Sequence, residues 1–243
     1  MAPLDFPFFE LPAELRGDIL SRLLISPFGI VLHSRTIFGD SPINKYTVLC
    51  IFLVNVQMYQ EASAIFYGQN HFILNGQSHR LPGNLTGPGG FLSEQGQDAR
   101  RRIHNFSLFL TRIGGEVETV LAPAISDMVL RGCLRTLKIY LGQPGSSRSI
   151  MPGSDFVTRP PFQALLSLLS DPDLRHVELW AWRAHRTVFC PFHSPVKGPS
   201  ERVDGQGLAT INGTSDWIQL DWAEMVNILG TTERISKVEA ADI

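Results

Sequence analysis

Three residues in the C-terminal third have side chains that could hold a metal ion: His185, Cys190 and His193. Thiolate sulfur and imidazole nitrogen are the ligands that zinc prefers, and Cys190 and His193 have the separation found in zinc fingers. Three protein ligands would leave one position open, as in catalytic zinc sites. However, no reciprocal Cys-x-x-Cys or His-x-x-x-His pair is present, and Pro191 and Phe192 are typical of an apolar loop. We therefore predict neither a metal nor a cofactor, and keep the three residues as candidate ligands only.

Sequence motifs for enzymatic chemistry are otherwise missing. The chain contains no Gly-x-Ser-x-Gly elbow, and none of its cysteines has a recognisable catalytic setting. It also lacks the Gly-x-x-x-x-Gly-Lys-Ser/Thr loop that surrounds nucleotide phosphates. These absences favour a non-enzymatic protein, although they leave the question of an activity open.

Two tryptophans, Trp180 and Trp182, lie two residues apart at the end of a predicted strand. Side chains two residues apart on a strand point to the same face, so one side of this strand carries two large rings. The rings could pack in a core, since aromatic side chains dominate core energetics. If the strand lies at the sheet edge, the pair is instead a possible client-binding patch.

These candidates must be positioned by helices and strands, and the first helix is predicted at the N-terminus. Pro12 suits a first helical position, because its missing N–H would have no partner there. After it the apolar residues recur at helical spacing and charged residues take the other side; the apolar ones are Leu15, Ile19, Leu20, Leu23 and Leu24. This amphipathic helix could pack on its own domain or bind a partner.

Residues 48–74 form a second apolar segment. We predict one long helix that is apolar on most sides and therefore central in the core, ended by Gly68 and followed by a short strand. Residues 26–45, which include Gly29, Gly39 and Pro42, show no clear helix.

Together, the two segments resemble the F-box-like protein family of filamentous fungi over the first third of the chain. The matching pattern is Leu-Pro-x-Glu-Leu-Arg, then Val-x-x-x-x-Tyr-x-Glu-Ala, Phe-Tyr-Gly and Asn-x-Phe, carried here by Leu11, Pro12, Glu14, Leu15, Arg16, Val54, Tyr59, Glu61, Ala62, Phe66, Tyr67, Gly68, Asn70 and Phe72. The resemblance implies that the first helix binds a Skp-type adaptor of a cullin-based ubiquitin ligase. The implied partner-binding residues are Leu11, Pro12, Leu15, Ile19, Leu20 and Leu23.

Downstream, strand and helix patterns alternate. We predict strands at 103–110, 134–141 and 174–180, with helices at 116–131 and 161–170 between them. The economical topology is β-α-β-α-β with parallel strands and right-handed crossovers. It is loosely leucine-rich-repeat-like, but the units are longer than the roughly 20 to 29 residues of ordinary repeats. The predicted fold class is α+β or α/β.

The predicted organisation has three parts. Residues 1–75 form an F-box-like helical region, 76–98 a Gly- and Pro-rich connector, and 99–243 an α/β client-binding region with a loop-rich C-terminal third. In that last third we predict a short helix from Leu220 to Leu229.

Composition restricts the partners. A formal net charge of −2 gives no long-range attraction for phosphate backbones, so we predict no nucleic-acid partner. The one basic run, Arg100 to Arg102, is expected to be solvated. No apolar stretch is long enough to span a bilayer and no signal peptide is evident, so we expect no membrane partner and a cytoplasmic or nuclear location. Cys50, Cys133 and Cys190 are expected to be buried, reduced thiols.

These patterns predict a protein–protein interaction module, which the family resemblance extends to a substrate-recognition adaptor of a cullin-type ligase with an unknown client. Two alternatives stay open. One is a small-molecule-binding protein or enzyme with its pocket at the carboxyl ends of the parallel strands, near residues 141–147 and 182–185, where His185 could converge with Glu178. The other is an F-box-like scaffold that uses the first helix only as core.

Overall fold

The described part of the protein is built around one seven-stranded sheet. The structure is a computed structural model, and it describes residues 7–32, 45–76, 81, 83–111, 113–142, 159–182, 210–213, 217–220 and 222–223. The strands lie in the order β1-β2-β3-β4-β5-β7-β6. The first five are parallel, and β7 and β6 continue the sheet antiparallel. Their bounds are β1 Ile30–Leu32, β2 His71–Gly76, β3 Asn105–Leu110, β4 Thr136–Leu141, β5 His176–Trp182, β6 Thr210–Gly213 and β7 Trp217–Leu220. The sheet thus includes strands from both sides of the 76–98 segment.

The described helices are α1 Ala13–Leu24, α2 Lys45–Phe52, α3 Val56–Gln69, α4 Gly83–Thr86, α5 Gln97–Arg101, α6 Ala122–Leu130 and α7 Pro160–Leu169. A 3-10 turn at Phe8–Glu10 precedes α1, and a π-helical turn at Val117–Leu121 leads into α6. The predicted mixed α/β class and the parallel β-α-β-α-β order from β3 to β5 are confirmed.

The sheet has two unlike faces because alternate residues of a strand point to opposite sides. On what we call the core face, apolar side chains of the strands join one buried cluster with side chains from α1, α3, α6 and α7. The strand residues of this cluster include Phe72, Leu74, Phe106, Leu108, Leu137, Ile139 and Leu179. On the opposite, second face the residues are mostly polar or aromatic.

The prediction of a single long helix at 48–67 is wrong. The helix breaks after Phe52, and the side chain of Asn55 accepts a hydrogen bond from the backbone N–H of Met58 at 2.8 Å. This contact is an N-cap, which starts α3 as a new helix. Gly68 lies inside α3 rather than after it. Leu53, at the break, is 81% exposed, so this segment is not a central core helix.

Strand β1 was not predicted from the sequence. It follows Gly29, whose φ of +77° lies in the left-handed region that glycine tolerates. A Cβ on Gly29 would lie 2.8 Å from the backbone oxygen of His71, so glycine also permits the close approach of the chain to β2. The turn is closed by the hydroxyl of Ser26, which donates to the backbone oxygen of Gly29 at 2.8 Å.

The C-terminal third contains two further strands that were not predicted. Leu220 ends β7 and is not the first residue of a helix, while residues 222–223 are helical. The remainder of the predicted helix to Leu229 lies outside the described residues. Because β7 pairs with β5, the strand carrying Trp180 and Trp182 is inside the sheet and not at its edge.

The prediction that the basic run is solvated holds for Arg102, which is exposed, but is wrong for Arg100. All three arginines have partners within the chain. Arg100 is buried and donates to two backbone oxygens of the preceding turn. Arg101 pairs with Asp127 at 2.7 Å, and the guanidinium of Arg102 lies over the ring of Tyr59. The run thus ties α5 to α6 and α3.

The predicted burial of the cysteines is also wrong for the two that lie in the described part of the chain. Cys50 and Cys133 are free and exposed, because Cys50 lies on the outer side of α2 and Cys133 in the turn after α6. Cys190 lies outside the described residues. Among the described helices, none combines the length and apolarity needed to cross a membrane.

Candidate functional site

Helix α1 divides its apolar residues between two sides. Leu20 is 1% exposed and Leu24 is fully buried, and both belong to the core. Leu15 is 50% exposed and Leu23 is 46% exposed. Residues eight apart are only about 80° apart around a helix, so Leu15 and Leu23 lie on one broad side, away from Leu24. Leu20 is therefore not part of the exposed side, contrary to its predicted place among the partner-facing residues.

The residues before α1 form its lead-in, Phe8–Pro12. Leu11 has the extended backbone expected before a proline. Pro12 is exposed and lies just before the helix, where its carbonyl accepts the N–H of Arg16 at 3.1 Å. Leu11 and Ile19 are half-buried. Of the six predicted partner-binding residues, Pro12, Leu15 and Leu23 are exposed.

Exposed large apolar side chains are concentrated in the N-terminal part of the described structure. We call this group the N-terminal apolar residues; it comprises Phe9, Leu15, Leu23, Phe28, Leu49, Leu53, Val54, Val56 and Tyr59. Among the other described residues, only Leu130 is comparable. Sequence reasoning missed the members from Leu49 to Val56 because it assigned them to a core helix. The N-cap residue Asn55, between apolar neighbours, was the signal that could have revealed them.

The helices that carry these residues pack together. Helix α1 contacts α3, and α2 contacts both. Between α2 and α3 the ring of Phe52 meets Tyr59 and Phe66 edge to face, with centroids 5.5 and 5.6 Å apart. These contacts bring the exposed side chains of α1 and α2 onto one helical unit at the β1 and β2 end of the sheet.

A polar contact joins the lead-in and α1 to α3. Arg16 donates from Nε and Nη2 to the two carboxylate oxygens of Glu61, at 2.8 and 2.7 Å, and from Nη1 to the backbone oxygen of Leu11 at 2.6 Å. Gln57 also donates to Glu61, at 3.0 Å. The hydrogen bond from Arg16, followed by that from Gln57, lowers the pKa of Glu61. The two halves of the F-box-like pattern, which contain Arg16 and Glu61, therefore meet in space.

Another residue of that pattern, Asn70, has a role inside the fold. It is fully buried and accepts the backbone N–H of Ser26 at 2.7 Å. Its amide donates to the backbone oxygens of Leu24 and Phe66, at 2.7 and 2.9 Å. Asn70 thereby satisfies backbone groups at the ends of α1 and α3, which would be costly to bury without partners.

A charged cluster lies on the second face of the sheet. Glu178 is only 8% exposed. Its carboxylate oxygens lie 3.0 Å from Nζ of Lys138, 2.5 Å from Nε2 of His176 and 2.7 Å from Nε1 of Trp180. Burial acts to raise the pKa of Glu178, but the hydrogen bonds from Trp180, His176 and Lys138 together outweigh it and lower the pKa. Glu178 is therefore a stable carboxylate and a poor proton donor near neutral pH.

The second face also holds a serine beside a histidine. His71 Nε2 lies 2.6 Å from Ser107 Oγ. Burial, with the nearby charge of Lys138, lowers the pKa of His71 and favours its neutral form. A neutral imidazole can accept a proton from a nucleophile. However, Ser107 is 2% exposed and lies within β3, so a substrate cannot approach its hydroxyl, and we assign the pair a structural role.

Aromatic rings form a ladder across neighbouring strands of the second face. Phe109 stacks on Tyr140 with centroids 4.3 Å apart, and Tyr140 stacks on Trp180 with centroids 6.1 Å apart. Trp217 of β7 meets Tyr140 edge to face at 5.2 Å. All four rings are half-buried. Trp180 thus belongs to the ladder, whereas for Trp182 the structure describes only its backbone pairing with Trp217.

Several candidate residues lie beyond the described parts. His185, Cys190 and His193 are outside them, as is most of the proposed pocket at 141–147 and 182–185. Within the described residues, no group of three or more His, Cys, Asp or Glu side chains is arranged to hold a metal ion. Searches with family models, among curated proteins and among solved structures returned no match to this chain.

Proposed function

We propose that this chain is a protein–protein interaction module that acts as a substrate-recognition adaptor of a cullin-type ubiquitin ligase, in the cytoplasm or nucleus. The observation that supports this proposal is the concentration of the N-terminal apolar residues on the lead-in, on α1 and the turn after it, on α2, and on the start of α3 with the turn before it. Exposed apolar side chains that are grouped in one part of a protein, unlike single scattered ones, are typical of places where another molecule binds. A Skp-type adaptor is the partner that the F-box-like pattern implies.

The contact would be made by the exposed side of α1. Leu15 and Leu23 are the anchors, with Pro12 and the exposed parts of Leu11 and Ile19 beside them. Apolar residues on one side of a helix that enter a hydrophobic groove are a recurring mode of recognition. Leu20 is excluded from this contact because it lies in the core.

The second face of the sheet is the proposed client-binding side. Its ladder of Phe109, Tyr140 and Trp180 is partly accessible, and aromatic rings are enriched where proteins bind each other. The parallel strands follow one another in chain order, and the described core helices lie on the opposite face. This arrangement is loosely leucine-rich-repeat-like and supports binding of a client on the open face of the strands.

The test is a titration of the purified chain with a Skp-type adaptor. We expect Leu15→Glu and Leu23→Glu each to weaken binding at least about tenfold, because a charge would enter an apolar groove. The matched control is Leu130→Glu, which changes an exposed leucine at the end of α6, 68% exposed, outside the N-terminal group. It should bind as the unaltered chain does. No binding by the unaltered chain, or equal binding by all variants, would overturn the proposal.

An F-box-like scaffold without ligase contact is the second candidate. It is favoured by the use of Leu20, Leu24, Arg16 and Asn70 within this chain's own fold. Its expected result in the same titration is the absence of adaptor binding by the unaltered, folded chain.

A further inference from the structure

We propose that Arg16 is a positioning residue that holds the lead-in Phe8–Pro12 in the conformation that the adaptor binds, and that α3 controls this conformation through Glu61. The inference rests on the proposed function and deepens it. According to this inference, the conformation of Leu11 and Pro12 depends on α3, even if α3 itself makes no contact with the adaptor.

The guanidinium of Arg16 contacts two elements at once. Its fork binds both oxygens of Glu61 on α3, while Nη1 reaches the backbone oxygen of Leu11 and, at 3.4 Å, that of Phe9. A planar guanidinium with five donors can make these contacts together, whereas a lysine ammonium offers a single point charge without the fork. Arg16 therefore couples the lead-in to α3 through a fixed geometry.

The lead-in has few other ties to the body of the protein. Its described backbone hydrogen bonds are local: Glu10 N–H donates to the oxygen of Pro7, Leu11 N–H to that of Phe8, and Arg16 N–H, in the first turn of α1, to that of Pro12. Phe8 packs partly against the core. Among the described contacts of the lead-in, the side chain of Arg16 thus supplies the polar connection to another element. Without it, the chain before Pro12 would sample more conformations.

Loss of this connection should affect binding more than stability. The side chains of Arg16 and Glu61 are only 12% and 27% exposed, but Arg16→Lys keeps a positive charge beside Glu61 and so avoids the large penalty of leaving a shielded charge unpaired. A binding segment that is already ordered, by contrast, loses less conformational entropy when its partner arrives. Binding affinity and thermal stability should therefore respond differently to changes at Arg16.

The experiment compares Arg16→Lys with a charge exchange, Arg16→Glu together with Glu61→Arg. For each we would measure the adaptor dissociation constant, the Tm and the hydrogen exchange of the Glu10 and Leu11 amides. Arg16→Lys should weaken binding about tenfold and speed exchange of the two amides, with little change in Tm. The exchanged pair restores an ion pair between α1 and α3 but moves the guanidinium away from Leu11. It should keep the Tm without restoring affinity.

Two results would overturn the inference: unchanged exchange of the Glu10 and Leu11 amides in Arg16→Lys, or full recovery of affinity in the charge exchange. If the unaltered chain does not bind the adaptor, the proposed function fails on its own. The amide exchange then still shows whether Arg16 orders the lead-in.

Discussion

The N-terminal apolar residues and the second face of the sheet are both partly open to solvent, yet they differ in how their side chains are used. Leu15 and Leu23 extend outward from α1, whose opposite side fills the core, and Leu53 is exposed in the turn after α2. On the second face, Glu178 and Tyr140 are held by neighbours on three or more sides. The first region therefore has apolar surface to spare for a partner, whereas the side chains of the second, including the half-buried rings proposed to bind a client, also contribute to the stability of the sheet.

The largest expected effect separates the two sides of α1. Leu24→Ala should reduce the free energy of unfolding by about 2–5 kcal/mol, because it leaves a cavity at a fully buried position. Leu15→Ala should change it by only about 0.5 kcal/mol, as expected for an exposed site. Urea denaturation of both variants provides the measurement. A large loss for Leu15→Ala would mean that Leu15 is used inside the fold and is not available to a partner.

A smaller effect is expected from the charged cluster on the second face. Glu178→Gln should reduce the free energy of unfolding at neutral pH by about 1–2 kcal/mol, since hydrogen bonds to a charged group are lost. Because the folded chain lowers the pKa of Glu178 below its ordinary 4.5, this stabilisation is present above pH 4.5. It disappears as the pH falls through the lower folded value.

Unfolding measured between pH 3 and 7 should therefore show a flatter acid dependence for Glu178→Gln than for the unaltered chain, over roughly the range in which carboxylates titrate. The control is Glu118→Gln, at an exposed position in the turn before α6. An identical pH dependence for Glu178→Gln and the control would show that the charged cluster does not contribute to the stability of the protein.

The smallest effect is expected from the aromatic ladder. Tyr140→Leu keeps an apolar side chain but removes the stacking with Phe109 and Trp180, so the free energy of unfolding should fall by about 1 kcal/mol. Near-ultraviolet circular dichroism should report the change in the environment of Trp180. If stability is unaffected while client capture is lost, the ladder serves client binding alone, and the contrast between the two regions weakens.

The parallel strands from β3 to β5 were predictable because their alternation is local. Leu137, Ile139 and Leu141 are buried while the residues between them are not, as the pattern of the sequence indicates. The break between α2 and α3 was missed because the apolar Leu53 and Val56 were assigned to the core, although Asn55 between them is a residue type that favours the start of a new helix. Strands β6 and β7 were missed for a related reason: four-residue strands carry too few residues for a periodic signal.

In the candidate site, too, some features follow from the local sequence and others from the packing of the folded chain. The sequence by itself determined that α1 is amphipathic, that it starts beside Pro12 and that its apolar residues are Leu15, Ile19, Leu20, Leu23 and Leu24, because helical spacing depends only on local geometry. Which of them remain exposed was decided by the packing of α1 on α3 and the sheet, which buries Leu20 and Leu24. Only the tertiary structure could place Glu61 and Asn70 beside α1, since those contacts join residues more than forty positions apart. Burial and long-range pairing are properties of the assembled chain, and no local pattern contains them.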